Sequence, residues 1–190
     1  MRQKDELKQD AIIQATVKLV NEIGFVASSV AKIAKEACVS PATIYIYYKN
    51  KDDLLVSTYV DIKKNLSTAM LKDFDNTRPI RDILMKLWFN TFDYVAKNPA
   101  HFHFTEQFAN SPYASLVNKA ETEKYFEPMF RVLGMGIEQK IIKNVRFEIL
   151  TAFIFYPAMY LSNSRLCENF ELNEKNIETA FTLAWDAIKF

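Results

Sequence analysis

Residues 30–55 read VAKIAKEACVSPATIYIYYKNKDDLL, and this stretch decides the fold. Val30, Ile33, Ala34 and Ala37 recur at helical spacing and form one apolar stripe. Cys38-Val39-Ser40 interrupts it. Ser40 is a favoured N-cap, and Pro41 stands at a first helical position, where no amide hydrogen is needed. Ile44 and Tyr48, four apart, then face inward on a second short helix. Lys49-Asn50 stops that helix, and Asn50 caps a third whose first turn holds Asp52 and Asp53, where the helix dipole favours acids. Two short helices about such a turn make a helix-turn-helix, whose second member enters the major groove of DNA.

With Ile44 and Tyr48 inward, a rotation of about 100° per residue puts Ala42 and Ile46 at the centre of the outward face. Thr43 and Tyr45 flank them, and Tyr47 lies at one border. Large apolar side chains have no packing reason to face outward on so short a helix, and a groove wall supplies one. The competing reading is that Tyr45 and Ile46 pack beneath the long helix that follows.

From about Ile12 to Leu55 the chain resembles the DNA-binding domain of TetR-family transcriptional regulators. The matching residues are Ile12, Ala15 and Leu19 with Gly24 closing the first helix, then Ser29-Val30, Ile33-Ala34, Val39-Ser40, Thr43-Ile44-Tyr45, Tyr47-Tyr48, Lys51 and Leu54. Cys38 and Ala42 depart from the pattern, standing where the family usually has glycine. Cys38 must then make the turn with a side chain, at a positive φ that costs a non-glycine residue roughly 1 kcal/mol. The resemblance implies phosphate contacts from Ser29, Thr43, Tyr47 and Lys51, and an approach to the bases by Pro41, Ala42, Tyr45 and Ile46. The outward face carries no Arg, Asn or Gln, so the bidentate contacts to guanine or adenine are missing. Readout then falls to thymine methyls, the Tyr45 hydroxyl and DNA shape, with A·T-rich half-sites in a palindromic operator.

The chain has 190 residues, 49% of them hydrophobic, 14% aromatic and only three glycines. Strands would need more hairpin turns than Gly24, Gly134 and Gly136 provide, so the expected class is all-α, about nine helices. Residues 1–50 are expected to form the helix-turn-helix domain, and residues 51–190 a larger helical bundle for effector binding and dimerisation. The net charge of +1 hides an asymmetry. Residues 1–51 hold eight Lys/Arg and five Asp/Glu; residues 52–190 hold sixteen and eighteen. A basic head on a mildly acidic body fits phosphate binding by the head. Cys38 and Cys167 show no metal-ligand spacing, and no cofactor or metal is expected. MRQKDELKQD lacks the apolar core of a signal peptide, and the longest apolar run, Ile149 to Leu161, is too short to span a bilayer and holds Pro157. The expected location is the cytoplasm.

Residues 1–6 are expected to fray before a first helix, Leu7 to Ile23, with Ile12, Ala15, Leu19 and Ile23 inward. A long helix is expected from Lys51 to about Phe74, a loop over Asp73–Pro79, and helices over about 79–97, 100–110 and 114–138. A turn over 140–145 leads to an apolar stretch, Arg146 to Ser164, kinked by Pro157. Asn173 caps a last helix carrying Ile177, Ala180, Phe181, Ala184, Trp185 and Ile188. A helix apolar on every side needs cover on every side. The expectation is a homodimer through about 146–164 and 173–189, as the resemblance also implies; the competing reading is a monomer core.

The resemblance further implies a ligand-responsive regulator, commonly a repressor released by a small lipophilic or aromatic effector. The aromatic load of the body suits a cavity, with Trp88, Phe92, Phe108, Phe130 and Tyr156 as candidate walls and Glu106, Gln107 and Asn90 as polar anchors. The competing reading of each ring is ordinary core. An enzyme is disfavoured: His101 and His103 point apart at i, i+2, and there is no glycine-rich phosphate loop. The other alternative is a dimeric protein-interaction adaptor with a vestigial DNA head. Retention of Thr43, Tyr47 and Lys51 weighs against it.

Overall fold

A computed structural model describes residues 2–190, with side chains from Asp5 onward. The chain forms α1 (Arg2–Ala27), α2 (Val30–Glu36), α3 (Pro41–Tyr47), α4 (Lys51–Met70), α5 (Ile80–Lys97), α6 (Pro99–Ala109), α7 (Lys119–Glu123), α8 (Glu127–Glu138), α9 (Phe147–Ile154), α10 (Tyr156–Leu161) and α11 (Glu174–Ile188). Two 3₁₀ turns, Pro112–Leu116 and Lys124–Phe126, join them. With α9–α10 taken as one kinked helix and the single-turn α7 set aside, nine helices carry the described residues, which are all-α. Among them no helix is long and apolar enough to cross a membrane.

Packing divides the chain into two compact units, one of residues 1–62 and 100–118, the other of 63–99 and 119–190. The first unit therefore extends past the expected limit at residue 50. The reason lies in neighbouring leucines of α4. Leu54 joins a cluster with Ile12, Ala15, Ile33, Ala34, Ile44 and Tyr48. Leu55 turns to a second cluster with Val17, Val20, Phe104 and Phe108, which draws α6 onto α1 and α4. Phe108 stacks on Tyr59 with ring centroids 4.4 Å apart. Polar ties follow the same contact: Asn21 Nδ2 donates to the Ala100 carbonyl at 2.9 Å, and Gln107 Nε2 to Asn21 Oδ1 at 3.0 Å.

Several expected boundaries move. Helix α1 already runs from Arg2, so the fraying expected over residues 1–6 is absent from 2–6, and Met1 lies outside the described residues. Gly24 does break α1, at φ 77°, a conformation open chiefly to glycine. Ile23, expected inward, is 43% exposed and lines a surface groove with Val26 and Tyr113. Helix α4 stops at Met70 rather than near Phe74. The helix expected over 114–138 breaks into a 3₁₀ turn, α7, a second 3₁₀ turn and α8. Pro128 explains the last break: it has no amide to donate back along a helix and sits in the first turn of α8. Pro157 likewise parts α10 from α9 at Phe155.

The second unit closes around Trp88, which stacks on Phe92 at 5.4 Å and meets Phe181 edge-on at 5.8 Å. Asn173 Oδ1 caps α11 by accepting from the Asn176 amide at 2.9 Å. The turn after α8 passes close to it. A Cβ added at Gly136 would lie 2.5 Å from Ile142 Cδ1 and 3.2 Å from Ile80 Cγ2, whereas one at Gly134 would meet nothing within 4 Å. We predict opposite effects in urea unfolding followed by circular dichroism. Gly134→Ala should gain up to about 1 kcal/mol from helix propensity; Gly136→Ala should lose about 1–3 kcal/mol to overpacking. Equal effects would contradict the close approach at Gly136.

Candidate nucleic-acid interface

Helix α2 ends in a Schellman motif, in which the Val39 amide donates to the Ala34 carbonyl at 2.9 Å and the Cys38 amide to the Lys35 carbonyl at 3.2 Å. Cys38 occupies the left-handed position of that motif, at φ 53°, as its place in the sequence required. Ser40 then opens α3: its Oγ accepts from the Thr43 amide at 3.1 Å and lies 2.9 Å from Thr43 Oγ1. Asn50 caps α4 by accepting from the Asp53 amide at 2.8 Å, while the Asp53 carboxylate accepts from the Lys49 amide at 2.8 Å. Each stop is local chemistry between residues three or four apart.

Ile44 and Tyr48 are buried, at 1% and 8% exposure, and this sets the rotation of α3. The opposite side presents Pro41, Ala42, Tyr45 and Ile46 to solvent, with Ile46 75% and Tyr45 56% exposed. Neither packs beneath α4, so the competing placement for these two residues is excluded. Burial is the first cause that raises the Tyr48 phenol to about 12, with Asp61, Asp53 and Asp10 adding to it. Tyr48 therefore stays neutral inside the head.

The remaining candidate contacts ring this face, and each is engaged within the first unit. Ser29 caps α2, accepting from the Lys32 amide at 3.3 Å. Tyr47 donates its hydroxyl to Asp5 Oδ1 at 3.2 Å, and its pKa is raised by burial and by that carboxylate, so it remains a donor. Lys51 Nζ donates to the carbonyls of Phe25 and Val26, at the end of α1.

The candidate effector residues are not brought together. Phe108 is core of the first unit, and Glu106 and Gln107 line the surface groove beside Ile23. Trp88 and Phe92 are core of the second unit; the Trp88 indole nitrogen is buried with no hydrogen-bond partner. Asn90 donates to the carbonyls of Met70 and Lys72 at 3.0 and 2.8 Å, which ties α5 to the end of α4. Phe130 and Tyr156 do line a common cavity of about 320 Å³, together with Lys63, Leu66 and Met70 of α4 and Phe155 and Met159 of the kinked pair. Those five additions escaped the sequence reading. One signal was present: Lys63, Leu66 and Met70 stand at i, i+3, i+7, a lysine on an apolar stripe. His101 Nε2 lies 3.3 Å from Gln14 Nε2, and burial lowers its pKa, which fits a packing role in the first unit.

Comparison with known proteins agrees with this geometry. A family model described as "Bacterial regulatory proteins, tetR family" matches residues 12–58, and one described as "Tetracyclin repressor-like, C-terminal domain" matches residues 79–189. A TetR family transcription regulator from Marinobacter aquaeolei superposes with a TM-score of 0.91 at 35% identity, covering 100% of this chain and 99% of that one. An HTH-type transcriptional regulator of Haemophilus influenzae is 28% identical over the whole of both chains. The "Fatty acid metabolism regulator protein" of Bacillus subtilis is 48% identical over 96 residues, half of this chain and 49% of its own. A capped helix-turn-helix with an exposed recognition face, carried on a helical body that matches the same family, leaves one assignment: the chain belongs to the TetR family and is a DNA-binding transcriptional regulator, not an enzyme.

Proposed function

We propose that the protein is a homodimeric repressor acting in the cytoplasm, which leaves a palindromic operator when a small lipophilic or aromatic effector enters its second unit. The outward face of α3 carries the reading: Tyr45 and Ile46 are large, apolar and exposed on a helix of seven residues. Against a major groove, Ala42 and Ile46 would meet thymine methyls and the Tyr45 hydroxyl would reach one polar base edge. Half-sites should therefore be A·T-rich. Ser29, Thr43, Tyr47 and Lys51 would hold phosphates. An ammonium has three donors, so a phosphate need not displace both carbonyls from Lys51.

Two further observations support the dimer and the effector. Ile149, Phe153, Tyr156 and Tyr160 of α9–α10 and Leu183 of α11 are all exposed, and a contiguous apolar face of that kind marks an interaction surface. Helix α4 begins at Lys51 and lines the cavity with Lys63, Leu66 and Met70. A ligand that shifts this helix acts on the element that carries a phosphate contact. It can release DNA only by as much as it prefers the released state, about 1–3 kcal/mol of coupling in typical systems.

Selection from random DNA, followed by salt titration on the selected site, tests the head. The enriched site should be palindromic and A·T-rich beneath Ala42 and Ile46. Lys51→Ala should flatten the slope of log K against log salt by about one. A G·C-dominated site, or an unchanged slope, would sink the assigned contacts. For the dimer, Phe153→Glu should shift sedimentation equilibrium to the monomer mass; a variant that remains dimeric would place the interface elsewhere.

A further inference from the structure

The cavity between α4, α8 and α9–α10 combines features that narrow its ligand. Met70, Met129 and Met159 line it together with Leu66, Phe130 and Phe155. Methionine is unbranched and adaptable, so these walls conform to a flexible chain better than to a rigid ring system. Lys63 lines the same cavity, half-buried on the stripe of Leu66 and Met70. The other charged lining residue, Glu148, is already answered from outside: Arg146 donates to its two carboxylate oxygens at 2.8 and 3.2 Å. One positive charge is thus left facing an apolar space.

We propose that this cavity takes an unbranched hydrocarbon chain with a single anionic head, a medium-chain carboxylate, whose head meets the Lys63 ammonium. A methylene fills about the volume of a water, roughly 30 Å³, so 320 Å³ holds a chain of about ten carbons. Burial lowers the Lys63 amine below the usual lysine range, the cost of a cation against apolar walls. A carboxylate beside it offsets that cost, which a neutral alcohol of equal length cannot do. The proposal rests on the effector reading above, because it assigns the ligand of that cavity.

Isothermal titration of the full chain with decanoate and with decan-1-ol, both below their micellar concentrations, tests it. Decanoate should bind about tenfold or more tightly than the alcohol, a comparison that needs no variant. Lys63→Met should weaken decanoate by about tenfold or more while the alcohol still binds, which also shows the cavity intact; Lys63→Arg should restore decanoate. Equal affinities for acid and alcohol, or decanoyl-CoA binding where decanoate does not, would overturn the proposal. The same ligands are then added to the complex with the selected operator. Lys63-dependent decanoate binding without loss of DNA would leave the ligand site standing and remove the effector reading. Release by another compound, with decanoate unbound, would do the reverse.

Discussion

A helix of seven residues has no stability of its own in water, because the cost of nucleating it exceeds what so few hydrogen bonds return. Everything presented on α3 therefore depends on the burial of Ile44 and Tyr48 in the cluster of Ile12, Ile33, Ala34 and Leu54. These side chains fix the rotation of the helix, and the rotation decides which residues reach solvent. Had the inward pair been one position along the chain, Tyr45 would be buried and the recognition face would be another set of residues. The Schellman turn at Cys38 and the Ser40 cap set where α3 begins, and the packed pair sets how it faces.

Helix α4 extends the same logic. Leu54 and Leu55, consecutive in the chain, point to different clusters, so one turn of helix holds the helix-turn-helix on one side and α6 on the other. Further along, Leu66 and Met70 belong to the wall of the cavity, with Lys63 on their stripe. A cation on an apolar face is expensive to keep, and in a regulator such a residue is more readily understood as half of an interaction than as packing. By contrast, the ion pairs at Lys97–Asp93 and Arg131–Glu127 join exposed side chains one helical turn apart, and pairs of that kind contribute little.

The aromatic residues show where reading along the chain loses its hold. Trp88, Phe92, Phe108, Phe130 and Tyr156 all look alike in sequence, as large rings at helical spacing. Phe108 closes the first unit against Tyr59; Trp88 and Phe92 close the second against Phe181; only Phe130 and Tyr156 border empty space. A ring fills or leaves a gap according to the side chains opposite it, and those come from segments tens of residues away. The broken helix before Glu127 was a different failure, since Pro128 was legible from the start and forbids an uninterrupted helix through its position.

The sequence by itself determined the all-α class, the helix-turn-helix, the positive φ at Cys38, the caps at Ser40, Asn50 and Asn173, and the outward face of α3. Each of these rests on residues within one or two helical turns of each other, where spacing alone decides contact. The tertiary structure alone decided that α6 belongs with the head, that the candidate effector rings divide between two cores and one cavity, and that Lys63 lines that cavity. Those outcomes depend on which helices become neighbours and how well their side chains fill the space between them, quantities that no local pattern contains.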